Sequence, residues 1–353
     1  MSASKGTPLD AGADTRGRGR AIGGEVLTPL VLFGLTILMV LASRWISPSL
    51  GGLHQVAAII VLSTFLMVVA FGQQMVVLIG GLDLSVPSML TLGGILTFGW
   101  IGPSGLSVIW VLLAVLIVTG LIGALSGVGV ALLRIPPFIM TLAMGIIVYS
   151  GSLGLTAGTP RGHASVLLGD LFSGRILGLP PIIYGMIVLV VLGTILQSYT
   201  PFGRRLYALG TSPAAAHVAG LAVNRLTIAT YAISAASAGF AGFLLVGYAG
   251  GATLVMGQSY LLPSIAAIVV GGTSILGGRG NYISAVAAAL LLTTFSTIIS
   301  SVQILEGWRT IIYGLVILLA IAALREDLPM WIGRGLRRPA RPPTAPAVAQ
   351  TTK

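Results

Sequence analysis

A nucleophile, a general base or a metal site would have to be built from three histidines, eight carboxylates, two lysines and the hydroxyls, and their spacing builds none. His54, His163 and His217 fall far apart in different loops, and no pair has metal-ligand spacing. Cysteine is absent, which removes thiolate and disulfide chemistry. Lys5 and Lys353 are the only lysines, so no phosphate-binding loop ending in Gly-Lys-Ser/Thr can form. The run from Gly272 to Arg279 has glycines at a suggestive spacing, but it lacks the Lys-Ser/Thr end and its setting is apolar. No serine occupies a hydrolase nucleophile elbow. The chain therefore reads as a non-enzyme, with no catalytic residue, no metal site and no cofactor of its own.

Ion-driven transport is the next chemistry to test, because it places ionisable groups inside the membrane. The acids are Asp10, Asp14, Glu25, Asp83, Asp170, Glu306, Glu326 and Asp327, and only Asp83 falls where membrane depth is plausible. One such acid, with Lys and Arg absent from the segment interiors (Arg44 and Arg309 fall at segment ends), points to a passive pathway that another protein must drive. Polar groups that would suit a hydroxylated solute are Gln73, Gln74, Asp83, Tyr149, Ser234, Thr273 and Ser274. Each has a bland alternative as hydrogen-bonding glue between helices. Asp83 or Ser85 is equally placed to cap the helix that starts near Pro87.

The elements that carry these residues follow from composition. Of 353 residues, 56% are hydrophobic and 8% charged, against roughly 25% charged in soluble domains. The 49 glycines suit close helix approach in a membrane bundle. Ten apolar segments are expected, near 27–46, 54–79, 84–101, 107–131, 138–157, 181–199, 226–249, 260–277, 282–301 and 309–324. The third, eighth and tenth are short or interrupted by glycine. Gly120/Ala124, Gly123/Gly127 and Ala238/Gly242 have the spacing of packing seams. The fold class is all-α, a polytopic membrane helical bundle of about ten transmembrane helices.

Charge placement sets the orientation. With both termini cytoplasmic, fifteen of the nineteen basic residues lie inside and four outside (Arg44, Arg161, Arg175 and Arg309), in keeping with the positive-inside rule. The net charge of +11 is thus explained by topology, and no nucleic-acid partner is expected. Residues 1–26 are expected to be a cytoplasmic tail without a cleavable signal peptide, 27–325 the transmembrane domain, and 326–353 a basic, disordered tail whose arginines hold the last helix end at the lipid surface. The external loop 158–180 reads either as a solvated connector or as a docking surface for a soluble partner.

One polar island, 200–225, interrupts the apolar sequence. It is expected to be a cytoplasmic loop with a small helix: Ser212 as N-cap, Pro213 at the first helical position, Ala214, Ala215 and Ala216 as helix formers, and Gly220 as terminator. Arg204 and Arg205 are exposed donors for carboxylates on a partner.

Four runs together carry a resemblance. Gly80-Gly81-Leu82-Asp83-Leu84-Ser85-Val86, Pro137-Phe138-Ile139-Met140-Thr141-Leu142, the island from Gly203 to Val223, and Ala266 through Gly280 closely resemble, in order and spacing, the ribose-type permease subunits of bacterial ABC importers. The likeness covers about residues 30–325 and belongs to the branched-chain amino acid/ribose permease superfamily, with a type II, vitamin B12-type architecture. It implies a multi-pass inner (plasma) membrane permease that moves a monosaccharide (ribose, xylose, galactose or a polyol-like solute) by alternating access. Implied partners are a cytoplasmic ABC ATPase that uses ATP and magnesium, an extracytoplasmic sugar-binding protein and a second permease copy, identical or paralogous. The island becomes the ATPase-coupling loop, with Gly203, Arg204, Arg205, Tyr207, Gly210, Ser212, Pro213, Ala214, Ala215, His217 and Gly220 as its residues. The family often has Asn at Ser212, an acid at Pro213 and Ser at Ala219, so a contact from an acid at Pro213 is lost here. Alternatives are a branched-chain amino-acid-type ABC permease, an ion-coupled secondary transporter and a membrane scaffold.

Overall fold

The computed structural model describes residues 15–45, 51–101, 107–301 and 306–323. The expected tail 326–353 and the first fourteen residues of the expected N-terminal tail lie outside them. In chain order the helices are α1 (Thr15–Ser43), α2 (Leu53–Leu78), α3 (Val86–Trp100), α4 (Val108–Ala131), α5 (Pro137–Thr156), α6 (Val166–Ser173), α7 (Pro181–Thr194), α8 (Pro201–Thr211), α9 (Pro213–Val218), α10 (Val223–Ala249), α11 (Leu261–Val270), α12 (Tyr282–Ser301) and α13 (Glu306–Ala323). No strand occurs among the described residues; Ile176 and Leu179 form an isolated bridge.

A helix falls on each of the ten apolar segments, and six stretches are long and apolar enough to cross a bilayer. These are Leu53–Leu78, Val108–Ala131, Pro137–Thr156, Pro181–Tyr199, Val223–Ala249 and Tyr282–Ser301, each close to or above the ~20 residues a crossing needs. Leu27–Ser43, Val86–Trp100 and Gln258–Val270 are apolar but shorter. The eighth segment ends early as a helix: α11 stops at Val270, and the Gly271–Gly280 stretch is turns. α1 in turn begins at Thr15, well before the apolar run.

α2 and α10 form the centre. α10 packs against α2, α3 and α4, while α12 packs against α1, α2 and α11. Backbone-to-backbone contact makes this possible. A Cβ on Gly123 would lie 2.4 Å from Tyr231 O, one on Gly242 2.0 Å from Leu90 O, and one on Gly239 2.4 Å from the Thr119 hydroxyl. The expected seams at Gly123/Gly127 and Gly242 are real ones, whereas Gly120 has only ordinary contact, 3.7 Å to the Ala236 side chain.

Candidate functional site

The four sequence runs converge on one end of the bundle. α2 ends at Leu78, and the chain turns through Gly80 (φ +76°) into the segment that holds Asp83. Asp83 is buried. Its Oδ1 accepts from Ser85 N (3.0 Å) and Ser85 Oγ (2.6 Å), and its Oδ2 accepts from Ser234 Oγ of α10 (2.7 Å). Ser85 occupies the N-cap position of α3, but its backbone is already helical and its hydroxyl makes no capping bond. The expected cap is thus replaced by a local turn closed by a carboxylate that also reaches across to α10. On the other side Thr141 of α5 accepts from Leu84 N (3.0 Å) and donates to Leu82 O (3.3 Å) and Pro137 O (2.9 Å). The first two runs are therefore pinned to each other.

The island holds two helices rather than one. Thr200 caps α8, accepting from Gly203 N (3.2 Å), with Pro201 in the first turn. Ser212 ends α8 and caps α9, accepting from Ala215 N (3.3 Å), with Pro213 next. Gly220 (φ +78°) terminates α9, and Leu221 N reaches back to Ala216 O (3.0 Å). The pair is two-faced. Gly203, Leu206, Leu209 and Ala216 are buried, and Leu206, Leu209 and Ala216 pack with Met75 of α2 and Leu226 of α10. Tyr207, Gly210 and Ser212 are half-buried on the same inner side. Arg204, Arg205, Pro213, Ala214, Ala215, His217 and Gly220 are exposed, as is Val218, which sequence reasoning passed over. Arg204 also donates to Tyr199 O (3.0 Å).

The glycine run completes the site. Gly278 N donates to Leu78 O (2.9 Å), and a Cβ on Gly210 would sit 1.8 Å from Leu78 O and 2.5 Å from Gly278 N. The ends of α2 and α8 and the turn after α11 meet there with no side chain between them. Tyr207 Oη donates to Gly280 O (2.6 Å) and accepts from Gln197 Nε2 (2.8 Å). Gln197 lies in a five-residue π turn, Ile195–Tyr199, that leads into α8, a wider helical turn often found at functional positions.

Of the expected pathway residues, Gln73, Gln74, Asp83, Ser234 and Thr273 are buried, and Tyr149 and Ser274 are half-buried. The structure joins Asp83 to Ser234 and leaves Tyr149 apart on α5. Both amide atoms of Gln73 and the Thr273 hydroxyl are buried without a protein partner among the described residues. Gln197, Thr141 and Asn281 were missed. Gln197 had a readable signal, an amide placed just ahead of the polar island in an apolar run.

The opposite end is fastened separately. His163 N donates to Phe98 O (3.1 Å), Ser165 caps α6, and Tyr184 Oη donates to Ile176 O (2.9 Å). Between Ile176 and Leu179, Leu177 holds a left-handed backbone (φ +49°) and is 92% exposed.

A family model described as "Branched-chain amino acid transport system / permease component" matches residues 55–321. The ribose import permease protein of Haemophilus influenzae is 31% identical over 306 residues, 86% of this chain and 94% of that one. The ribose import permease protein of Escherichia coli K12 is 31% identical over 294 residues, 82% of this chain and 91% of that one. The fructose import permease protein of Rhizobium meliloti is 34% identical over 270 residues, 72% and 73% of the two chains. No solved structure matches. Extended likeness at this level, on a helical bundle whose four characteristic runs meet at one face, shows that the chain belongs to the branched-chain amino acid transport system permease family, as a ribose-type ABC permease.

Proposed function

We propose that the chain is the membrane subunit of an ATP-driven monosaccharide importer of the bacterial inner membrane, working by alternating access with α8–α9 as its ATPase-coupling element. The carrying observation is the two-faced island: its apolar side is built into the bundle, while Arg204, Arg205, Pro213, Ala214, Ala215, His217 and Val218 stand exposed together. ATP and magnesium belong to the partner ATPase, and this chain binds no cofactor. The ribose and fructose names of its relatives favour a sugar over a branched-chain amino acid. A second permease copy and an extracytoplasmic sugar-binding protein complete the assembly.

The same reading has ten spans with both termini cytoplasmic, and one observation supports its cytoplasmic face. The segments carrying Arg134, Arg204, Arg205, Arg225 and Arg279 are linked through Thr141, Leu226 and Gly278 at one end, as the positive-inside rule asks of a cytoplasmic face. The domain is then 27–325, flanked by the two tails.

Changing Arg204 and Arg205 together to Glu puts acids where the partner meets donors. Co-purification of the ABC ATPase with this variant is expected to fall at least about tenfold, since exposed charge reversal at an interface opposes docking by several kcal/mol. Membrane insertion is expected to be retained. Undiminished association would remove α8 from the contact.

The Leu177 knob gives the outer segment its docking reading. A bulky residue at positive φ costs about 1–2 kcal/mol, and here it also exposes a large apolar side chain beside Arg175. Leu177→Gly should therefore raise thermal stability slightly and weaken stimulation of the complex by its sugar-binding protein. Full stimulation in that variant would leave 158–180 a plain connector.

A further inference from the structure

We propose that Gln74, Gln197 and Tyr207 form a polar node that carries movement of α8 into α2 and α12, making them positioning residues for coupling and not residues of the ATPase contact. This rests on the reading of α8–α9 as the coupling element.

The side-chain end of Gln74 faces three donors: Asn281 N (3.2 Å), Tyr282 N (3.2 Å) and Gln197 Nε2 (3.0 Å). An atom surrounded by donors is the amide oxygen. The N–H groups of a first helical turn have no partner within their own helix, so Gln74 caps α12 from α2. Asn281 adds a local cap, its Oδ1 accepting from Ile283 N (2.9 Å). Gln197 Nε2 points at the same place from the π turn, 2.8 Å from Tyr207 Oη and 3.4 Å from Gly280 O. Tyr207 Oη closes the ring by donating to Gly280 O (2.6 Å), one residue before Asn281. Four elements, α2, the π turn, α8 and the start of α12, thus share one cluster of hydrogen bonds. Gln74 and Gln197 are fully buried within it.

Elsewhere α8 meets the bundle largely through apolar side chains, bare glycine backbone and the Thr211 side chain beside Gly278. Such contacts can slide with little change in energy over a fraction of an ångström. Hydrogen bonds are directional and weaken steeply when bent or stretched. A displacement of α8 therefore either breaks the Tyr207–Gly280 bond or pulls the start of α12 with it. Buried polar groups are costly to leave unpaired, so pulling is favoured, and Gln74 passes the same displacement to the end of α2.

The absence of cysteine allows a direct test. Spin labels are placed at Ser301→Cys, at the far end of α12, and at Val166→Cys on α6, both exposed. Their separation is measured in the assembled complex with and without ATP. Gln74→Met fills the same volume without an acceptor, and Gln74→Glu keeps the acceptor. Tyr207→Phe removes only the hydroxyl. The ATP-driven distance change is expected to shrink at least threefold in Gln74→Met and Tyr207→Phe and to persist in Gln74→Glu, with ATPase co-purification unchanged in all three. A full distance change in Gln74→Met and Tyr207→Phe would overturn the node, as would equal loss in Gln74→Glu, which would mark a packing role. Lost co-purification with Tyr207→Phe would make Tyr207 a docking residue and overturn the assignment. Failure of the unaltered chain to bind the ATPase would instead overturn the coupling reading on which the node stands.

Discussion

Alanine at Gly210 is expected to abolish uptake, lowering it at least about 100-fold, while the chain still inserts in the membrane. The added Cβ would stand 1.8 Å from Leu78 O and 2.5 Å from Gly278 N, and both are backbone atoms. Neither can rotate away as a side chain would. Carbon–oxygen contact is comfortable only near 3.5 Å, so α8 must lift from α2 by about 1.5 Å. Overpacking of this kind costs about 1–3 kcal/mol, which a bundle of this size can absorb. Function is far less tolerant, since a shift of about 1 Å in a working assembly can cost a factor of about 100. Gly185→Ala on α7 is the control, because nothing lies within 4 Å of its Cβ position. Uptake by the Gly210→Ala variant within twofold of the parent would show that the crossing of α2, α8 and the glycine run is not functionally tight.

Asp83→Leu should destabilise the chain most among single changes at this face, by about 2–5 kcal/mol. The carboxyl takes donors from Ser85 N, Ser85 Oγ and Ser234 Oγ, and each buried donor left without a partner costs about 1–3 kcal/mol. Leucine leaves all three donors facing an aliphatic side chain. The full sum is not reached, because a serine hydroxyl can turn back to a helix carbonyl four residues earlier. Asp83→Asn should be milder, since its carbonyl still serves Ser85 and the Ser234 hydroxyl can accept from the amide. Ser234→Ala should be milder again. Thermal unfolding of the purified complex reads the order Leu, Asn, then Ser234→Ala. Equal midpoints for Asp83→Leu and the parent would refute the latch between the α2–α3 turn and α10.

The helix positions were legible because membrane crossing demands long apolar runs, and a helix lies on each expected segment. The caps at Ser212, Pro213 and Gly220 were legible because they depend on three or four neighbouring residues. Asp83 shows the limit of that reasoning. Its local sequence suggested a cap, yet its structural work is a bond to Ser234, 151 positions away. α8 was missed as a separate helix because Gly203 and Gly210 look like loop residues. They are glycines because backbone from elsewhere occupies the space where a side chain would go. Gln197 and Asn281 were missed for a related reason: their meaning arises only where the π turn meets the start of α12.

The fastening of 158–180 has its own consequence. Its hydrogen bonds run to Phe98, to its own Ser165 and to Tyr184, and its Phe172 stacks on Phe65 of α2 and meets Tyr248 of α10; these residues are other than those that join α8 to α2 and α12. The two ends of the molecule are thus anchored by disjoint sets of residues. Such an arrangement lets one end be altered without touching the residues of the other: replacing 158–180 by the matching stretch of the fructose import permease relative is expected to leave the crossing of α2, α8 and the glycine run intact.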